Sequence, residues 1–94
     1  MGAELFPSMD IEALERELVS AIDSAGSLRE IETRLRSHQF IKSVELTDYL
    51  LKSNPPQRDF IVEFAIPDSS TVTKIVNIFD LGNGHFRFHE LRDQ

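Results

Sequence analysis

Two histidines and an arginine near the end of the chain have the clearest chemical potential. His85, Arg87 and His89 alternate with apolar residues in a segment typical of a strand. Side chains two residues apart in a strand lie on the same face, so we expect all three on one face. An imidazole exchanges a proton near neutral pH, and a guanidinium binds phosphate or carboxylate groups. The three residues are therefore the candidate ligand-binding site.

The two histidines are too far apart to bind one metal ion by themselves. The strand from His85 to His89 covers about 13 Å at roughly 3.3 Å per residue, whereas neighbouring ligands of one zinc ion lie about 3–4 Å apart. We therefore predict no metal site and no cofactor. A histidine general base beside a phosphate-binding arginine is also the equipment of a small RNase, which stays open as a weaker alternative.

Other catalytic chemistry has no support in the sequence. The chain contains no cysteine, so disulfides, thiolate metal ligands and cysteine nucleophiles are excluded. No Gly-x-Ser-x-Gly turn, glycine-rich phosphate loop or His-Glu-x-x-His helix occurs. Ser8, Ser27, Ser69 and Ser70 lie at expected helix caps and turns. We therefore predict that the protein is not an enzyme.

The net charge of −6 is concentrated near the start of the chain. Residues 10–24 contain five acidic residues against one basic residue, a local balance of −4. An acidic chain repels phosphate backbones, so nucleic acid is not an expected partner. The candidate partner-binding surface lies here, and its residues are Glu12, Glu15, Arg16 and Asp23. It is either a surface for a basic partner or simply a solvated helix face.

Apolar spacing predicts two helices in the first forty residues. Ile11, Leu14, Leu18 and Ile22 recur at helical intervals within residues 9–25, and Gly26 is expected to end this helix in a left-handed conformation. Ser27 and Glu30 form the pattern of a capping box and begin a second helix over residues 28–38. We expect either Ser8 or Asp10 to cap the first helix.

A glycine-containing turn between two helices also raises the possibility of a helix-turn-helix DNA-binding motif. In that motif the second helix enters the major groove with its N-terminal residues. Here that end carries Glu30 and Glu32, and the preceding helix is strongly acidic. The charges therefore argue against DNA binding.

Alternating or β-branched segments predict four strands, over residues 40–52, 58–66, 71–80 and 85–91. A change of phase near Thr47 and Asp48 predicts a bulge in the first strand. Gly82, Asn83 and Gly84 supply the residues of a tight hairpin between the last two strands.

These elements predict one α+β domain over residues 1–94. Two N-terminal helices pack on one face of a four-stranded antiparallel sheet, which is a meander because short connections join neighbouring strands. A sheet with a swapped strand order is the alternative. The last strand is expected at an edge of the sheet, where it can pair with a second copy of the chain.

The first ten residues carry no basic residue and no apolar core of a signal peptide, and no segment approaches the roughly 18 apolar residues of a membrane span. We therefore expect a cytoplasmic protein with no membrane partner. The leading functional prediction is a non-catalytic protein-interaction or regulatory module, with a protein partner or self-association. The main alternative is a small-molecule or nucleotide-binding domain that uses the open sheet face. An acidic inhibitor or immunity-type protein is a weaker alternative.

Overall fold

The computed structural model describes residues 11–65 and 71–94. Two helices precede four strands that form one antiparallel sheet of order β1-β2-β3-β4. The elements are α1 (Ile11–Asp23), α2 (Leu28–Arg36), β1 (Ile41–Leu51), β2 (Gln57–Ala65), β3 (Thr71–Gly82) and β4 (His85–Asp93). This is the predicted α+β meander, and the swapped strand order is excluded. Neither helix in these ranges has the length and apolar composition of a membrane-spanning segment.

The core lies between the two helices and one face of the sheet. Helix α1 packs over β4, and α2 packs over β1. The helices bury apolar residues at helical spacing, and the strands bury every second residue on the same side. The buried apolar residues are Leu14, Leu18, Ile22, Ala25, Ile31, Leu35, Ile41, Val44, Phe60, Val62, Phe64, Val76, Ile78 and Phe86. The opposite side is the open face of the sheet.

The connection between the helices differs from the prediction in one respect. Helix α1 ends at Asp23, and Gly26 does not adopt a positive φ, so the predicted left-handed cap is wrong. The Gly26 amide instead donates to Glu30 Oε1 over 2.8 Å, while the Ser27 hydroxyl accepts from the Glu30 amide over 3.0 Å. The Glu30 carboxylate thus orders the turn that a left-handed glycine was expected to make. The proposed caps Ser8 and Asp10 lie outside the described residues.

The hairpin between β3 and β4 has the predicted form. Gly82 pairs with His85, so Asn83 and Gly84 form a two-residue turn. Their φ values are 55° and 75°, and that of Gly82 is 86°. Positive φ at both central residues is the geometry that twists a tight hairpin to match its strands.

Register shifts interrupt the pairing of three strands, β1, β3 and β4. The shift between Leu46 and Leu50 in β1 confirms the bulge predicted near Thr47 and Asp48. The shift in β4, which was not predicted, leaves His89 without a pairing partner, because Phe88 pairs with Ile78 and Glu90 pairs with Asn77. A bulge redirects side chains locally, and here it occurs in the segment that carries the candidate ligand-binding site.

Side chains of both helices form hydrogen bonds with backbone groups of the two edge strands. Arg36 Nη2 on α2 donates to the Val44 carbonyl of β1 over 2.9 Å. The Phe88 amide of β4 donates to Asp23 Oδ1 at the end of α1 over 2.8 Å. Groups that are already bonded are not open to another strand. The position of β4 at an edge agrees with the sequence prediction, but part of this edge is covered.

The far end of the β3–β4 pair is joined by Lys74 and Asp93, whose side chains form an ion pair. The hydrogen bond and charge of the Lys74 ammonium hold the pKa of the Asp93 carboxyl below its ordinary value. A lowered folded-state pKa means that this pair stabilises the fold above the ordinary pKa, and that the stabilisation is lost as the pH falls through the lowered value.

We expect Lys74→Met to raise the pKa of Asp93 towards its ordinary value, because the neighbouring positive charge is gone. An NMR pH titration of the side-chain carboxyl carbons measures this change. Lys52→Met, at an exposed lysine just after β1, is the matched control and should leave the Asp93 titration unchanged. An unchanged Asp93 titration in the Lys74 variant would contradict the prediction.

Candidate functional site

The three residues of the candidate ligand-binding site are exposed along β4. His85 lies at the hairpin, opposite Gly82, while Arg87 lies opposite Phe79. The His89 ring packs on the Phe79 ring, with centroids 4.4 Å apart and planes tilted by 35°. His89 and Arg87 therefore share one region of the open face around Phe79, whereas His85 lies towards the end of the hairpin.

A buried polar pair lies beneath His89. Asp59 on β2 and Asn77 on β3 are register partners, with exposed fractions of only 6% and 1%. Asn77 Nδ2 donates to Asp59 Oδ1 over 2.6 Å, and His89 Nδ1 lies 2.7 Å from Asn77 Oδ1. Arg92 Nη2 donates to Asp59 Oδ2 over 3.0 Å. We refer to Asp59, Asn77, His89 and Arg92 as the open-face network.

The network determines which nitrogen of His89 carries the proton. An ionised carboxylate only accepts hydrogen bonds, so the Asn77 amide must direct its NH₂ group to Asp59 and its oxygen to His89. His89 Nδ1 is therefore the donor, an assignment that follows from the hydrogen-bond pattern. In the neutral ring this leaves the lone pair on Nε2. His89 thus has the arrangement of a positioned proton acceptor.

The charges of the network are largely balanced. Arg92 bonds to Asp59 and also to Glu90, the latter through Nη1 over 3.0 Å. By contrast, no hydrogen bond or ion pair of the Arg87 side chain is found within residues 11–65 and 71–94. Arg87 therefore adds an unpaired positive charge next to His89 on the same face.

The candidate partner-binding residues on α1 have different environments. Glu15 and Arg16 line a shallow groove of about 600 Å³ between α1 and β4, together with Val19, Ser20 and Phe88. We call this the α1–β4 groove. Val19 is 39% exposed, which makes it one of two large apolar side chains that are exposed in the described part of the chain. The groove therefore combines an apolar centre with charged margins.

The other acidic residues of α1 are less available. Asp23 accepts the Phe88 amide, and Glu17 Oε1 lies 2.6 Å from Nε2 of His38, two residues after α2. Glu12 lies within α1, but its side chain is outside the described set. The structure therefore brings Glu15 and Arg16 together in the groove and gives Asp23 a structural contact.

Sequence reasoning did not identify Asp59, Asn77, Phe79 or Arg92 as parts of a site. One signal was present, because Asn77 interrupts a strand that is otherwise rich in β-branched and apolar residues. An amide in the centre of such a strand needs hydrogen-bond partners. This signal does not show which strands supply the partners of Asn77, nor the bulge at His89, because both depend on the register of strand pairing.

No group of three or more His, Cys, Asp or Glu side chains suited to a metal ion occurs in residues 11–65 and 71–94. Comparisons of the chain with protein-family models, with curated proteins and with solved structures find no match. Functional inference therefore depends on the α1–β4 groove and the open-face network.

Proposed function

We propose that the protein is a non-catalytic interaction module that binds a segment of a partner protein in the α1–β4 groove. The observation that carries this proposal is the exposure of Val19 beside Phe88, between the charged side chains of Glu15 and Arg16. Apolar side chains surrounded by polar ones are typical of contact surfaces between proteins.

The charge of α1 indicates the chemistry of the partner. Residues 10–24 carry five acidic residues and one basic residue, and Glu15 forms no ion pair within the described ranges. A partner segment with an apolar residue against Val19 and a lysine or arginine near Glu15 would complement this surface. An acidic inhibitor that covers a basic protein is one form of this proposal.

The partner is expected to bind through side chains. The Asp23 carboxylate already accepts the Phe88 amide, which is the group that an added strand would need at this point of β4. For the same reason, self-association by edge pairing has less support than binding in the groove. A cytoplasmic location is part of the same proposal.

We expect Val19→Asp to weaken partner binding by at least about tenfold, because it puts a charge at the apolar centre of the groove. Leu81→Asp is the matched control, since Leu81 is also an exposed apolar residue, at 44%, but lies at the β3–β4 hairpin. Peptides are selected from a random displayed library against the wild-type protein. Their affinities for both variants are then measured by calorimetry.

Enrichment of basic peptides with an apolar residue, sensitive to Val19→Asp and insensitive to Leu81→Asp, supports the proposal. Failure to enrich such peptides, or equal sensitivity to both variants, contradicts it. Light scattering after size exclusion tests self-association in parallel. A dimer that Val19→Asp leaves intact would instead favour association through another surface.

A second candidate function is binding of a small molecule or nucleotide on the open sheet face. The specific observation in its favour is that Asp59 and Asn77 fix His89 beside Arg87, which has no bonded partner among the described residues. This surface and the α1–β4 groove are separate, so each proposal can be tested without the other.

A further inference from the structure

We propose that His89 and Arg87 form a binding site for a phosphate monoester, and that Asn77 and Asp59 are its positioning residues. This inference rests on the second candidate function and specifies the ligand class. It is independent of binding in the α1–β4 groove.

The state of His89 favours a ligand that offers an acidic proton. Because Nδ1 donates to Asn77 Oδ1, the neutral ring accepts a hydrogen bond at Nε2. The monoanion of a phosphate monoester has a P–OH group that can donate this bond. If the proton transfers, the phosphate becomes a dianion and the imidazolium donates from Nε2, while Nδ1 continues to donate to Asn77.

Arg87 supplies the permanent positive charge. Its Cα lies two strand residues from that of His89, about 7 Å along β4 at roughly 3.3 Å per residue. Long side chains at this separation can reach the same phosphate group, and a guanidinium binds two phosphate oxygens at once. The Phe79 ring packs against His89 and lies opposite Arg87, which restricts where the ligand can lie.

The burial of Asp59 and Asn77 is better explained by positioning than by packing. They lie on the open face, away from the apolar core. The next cross-strand pair on this face is Ile61 and Ile75, so the face also accommodates apolar pairs. A carboxylate and an amide are costly to bury unless all their bonds are satisfied. What this pair adds is a fixed orientation of His89. Residues that hydrogen bond to a functional histidine orient its ring in the same way.

His85 is not part of the proposed phosphate site. His85 and His89 are four strand residues apart, or about 13 Å at roughly 3.3 Å per residue, and His85 lies at the hairpin opposite Gly82. His85→Gln is therefore a matched control for His89→Gln. Arg29 on α2 is exposed, and Arg29→Gln is the matched control for Arg87→Gln.

The first test is a titration of the full chain with inorganic phosphate, phenyl phosphate and sulfate at neutral pH, followed by NMR. We expect both phosphates to shift the His89 ring signals with dissociation constants of about 1 mM, equivalent to roughly 4 kcal/mol. Sulfate carries no proton at this pH and should bind about tenfold more weakly. Arg87→Gln and His89→Gln should each weaken phosphate binding about tenfold, and both controls should bind as the wild type does.

The second test measures the tautomer of His89 by long-range proton–nitrogen correlation. The wild-type ring should carry its proton on Nδ1. Asp59→Asn removes the obligatory acceptor, so the Asn77 amide can turn and the ring should populate both tautomers, with weaker phosphate binding. A purely structural role of Asp59 would leave the tautomer unchanged.

The inference would be overturned if His89 did not respond to phosphate, or if the neutral wild-type ring carried its proton on Nε2. Equal binding of sulfate and phosphate would also contradict it, because His89 would then contribute no proton acceptor. None of these results bears on the Val19 variants, so failure here is distinguishable from failure of the groove proposal. Calorimetric titration of a nucleoside monophosphate and phenyl phosphate then shows whether the ester group adds affinity. Weaker binding of both esters than of inorganic phosphate would contradict the monoester assignment.

Discussion

Replacement of Gly84 by alanine is expected to lower the free energy of unfolding by about 3 kcal/mol. Gly84 has a φ of 75°, a left-handed conformation that costs a residue with a Cβ about 1–2 kcal/mol. In addition, a Cβ at this position would lie 2.8 Å from the Gly26 carbonyl oxygen. Because that atom belongs to the backbone, the hairpin and the α1–α2 turn would have to move apart.

Gly82→Ala is the control that separates these two costs. Gly82 also has a positive φ, 86°, but apart from its chain neighbours no atom of the described residues lies within 4 Å of the Cβ position. It should therefore cost about 1–2 kcal/mol, the conformational penalty alone. Urea unfolding of both variants measures the difference in their free energies of unfolding, provided that the slope of this free energy against urea concentration stays the same. Equal destabilisation by the two substitutions would show that the close approach of Gly84 to Gly26 adds nothing to the cost of the alanine side chain.

The comparison of these glycines also shows what sequence can and cannot predict. Positive φ at the hairpin followed from a local pattern, since Gly82, Asn83 and Gly84 are typical of tight turns. The close approach of Gly84 to Gly26 did not, because it depends on how the helices lie on the sheet. The same limit explains Gly26 itself, where the Glu30 carboxylate orders the turn in place of a left-handed cap.

Helices, strands and the meander were predictable because each depends on local periodicity and short connections. The candidate sites were predictable only in part. Alternation placed Arg87 and His89 on one face, but their buried support comes from β2 and β3 through strand register. On α1, charge alone could not distinguish Asp23, which bonds to β4, from Glu15, which lines the groove.

Replacement of Asp59 by alanine is expected to destabilise the protein by about 3 kcal/mol, the lower end of the cost of breaking a buried charged pair. The change leaves the Asn77 NH₂ group buried without its acceptor and removes one partner of Arg92. The lower end of this range applies because the Arg92 side chain is 39% exposed, so water can solvate its charge once Asp59 is removed. Urea unfolding measures the loss. A cost below about 1 kcal/mol would mean that water replaces the carboxylate, as at a surface position.

The double replacement Asp59→Val with Asn77→Val separates stability from positioning. Exchange of a buried polar pair for apolar side chains is often neutral or stabilising, so this variant should unfold within about 1 kcal/mol of the wild type despite the large cost of Asp59→Ala. The His89 ring should nevertheless lose its fixed tautomer, and phosphate should no longer shift its signals. A stable double variant with unchanged His89 would show that the network serves only the fold. A stable double variant with a released His89 would show that the buried carboxylate and amide orient a histidine that the fold does not need.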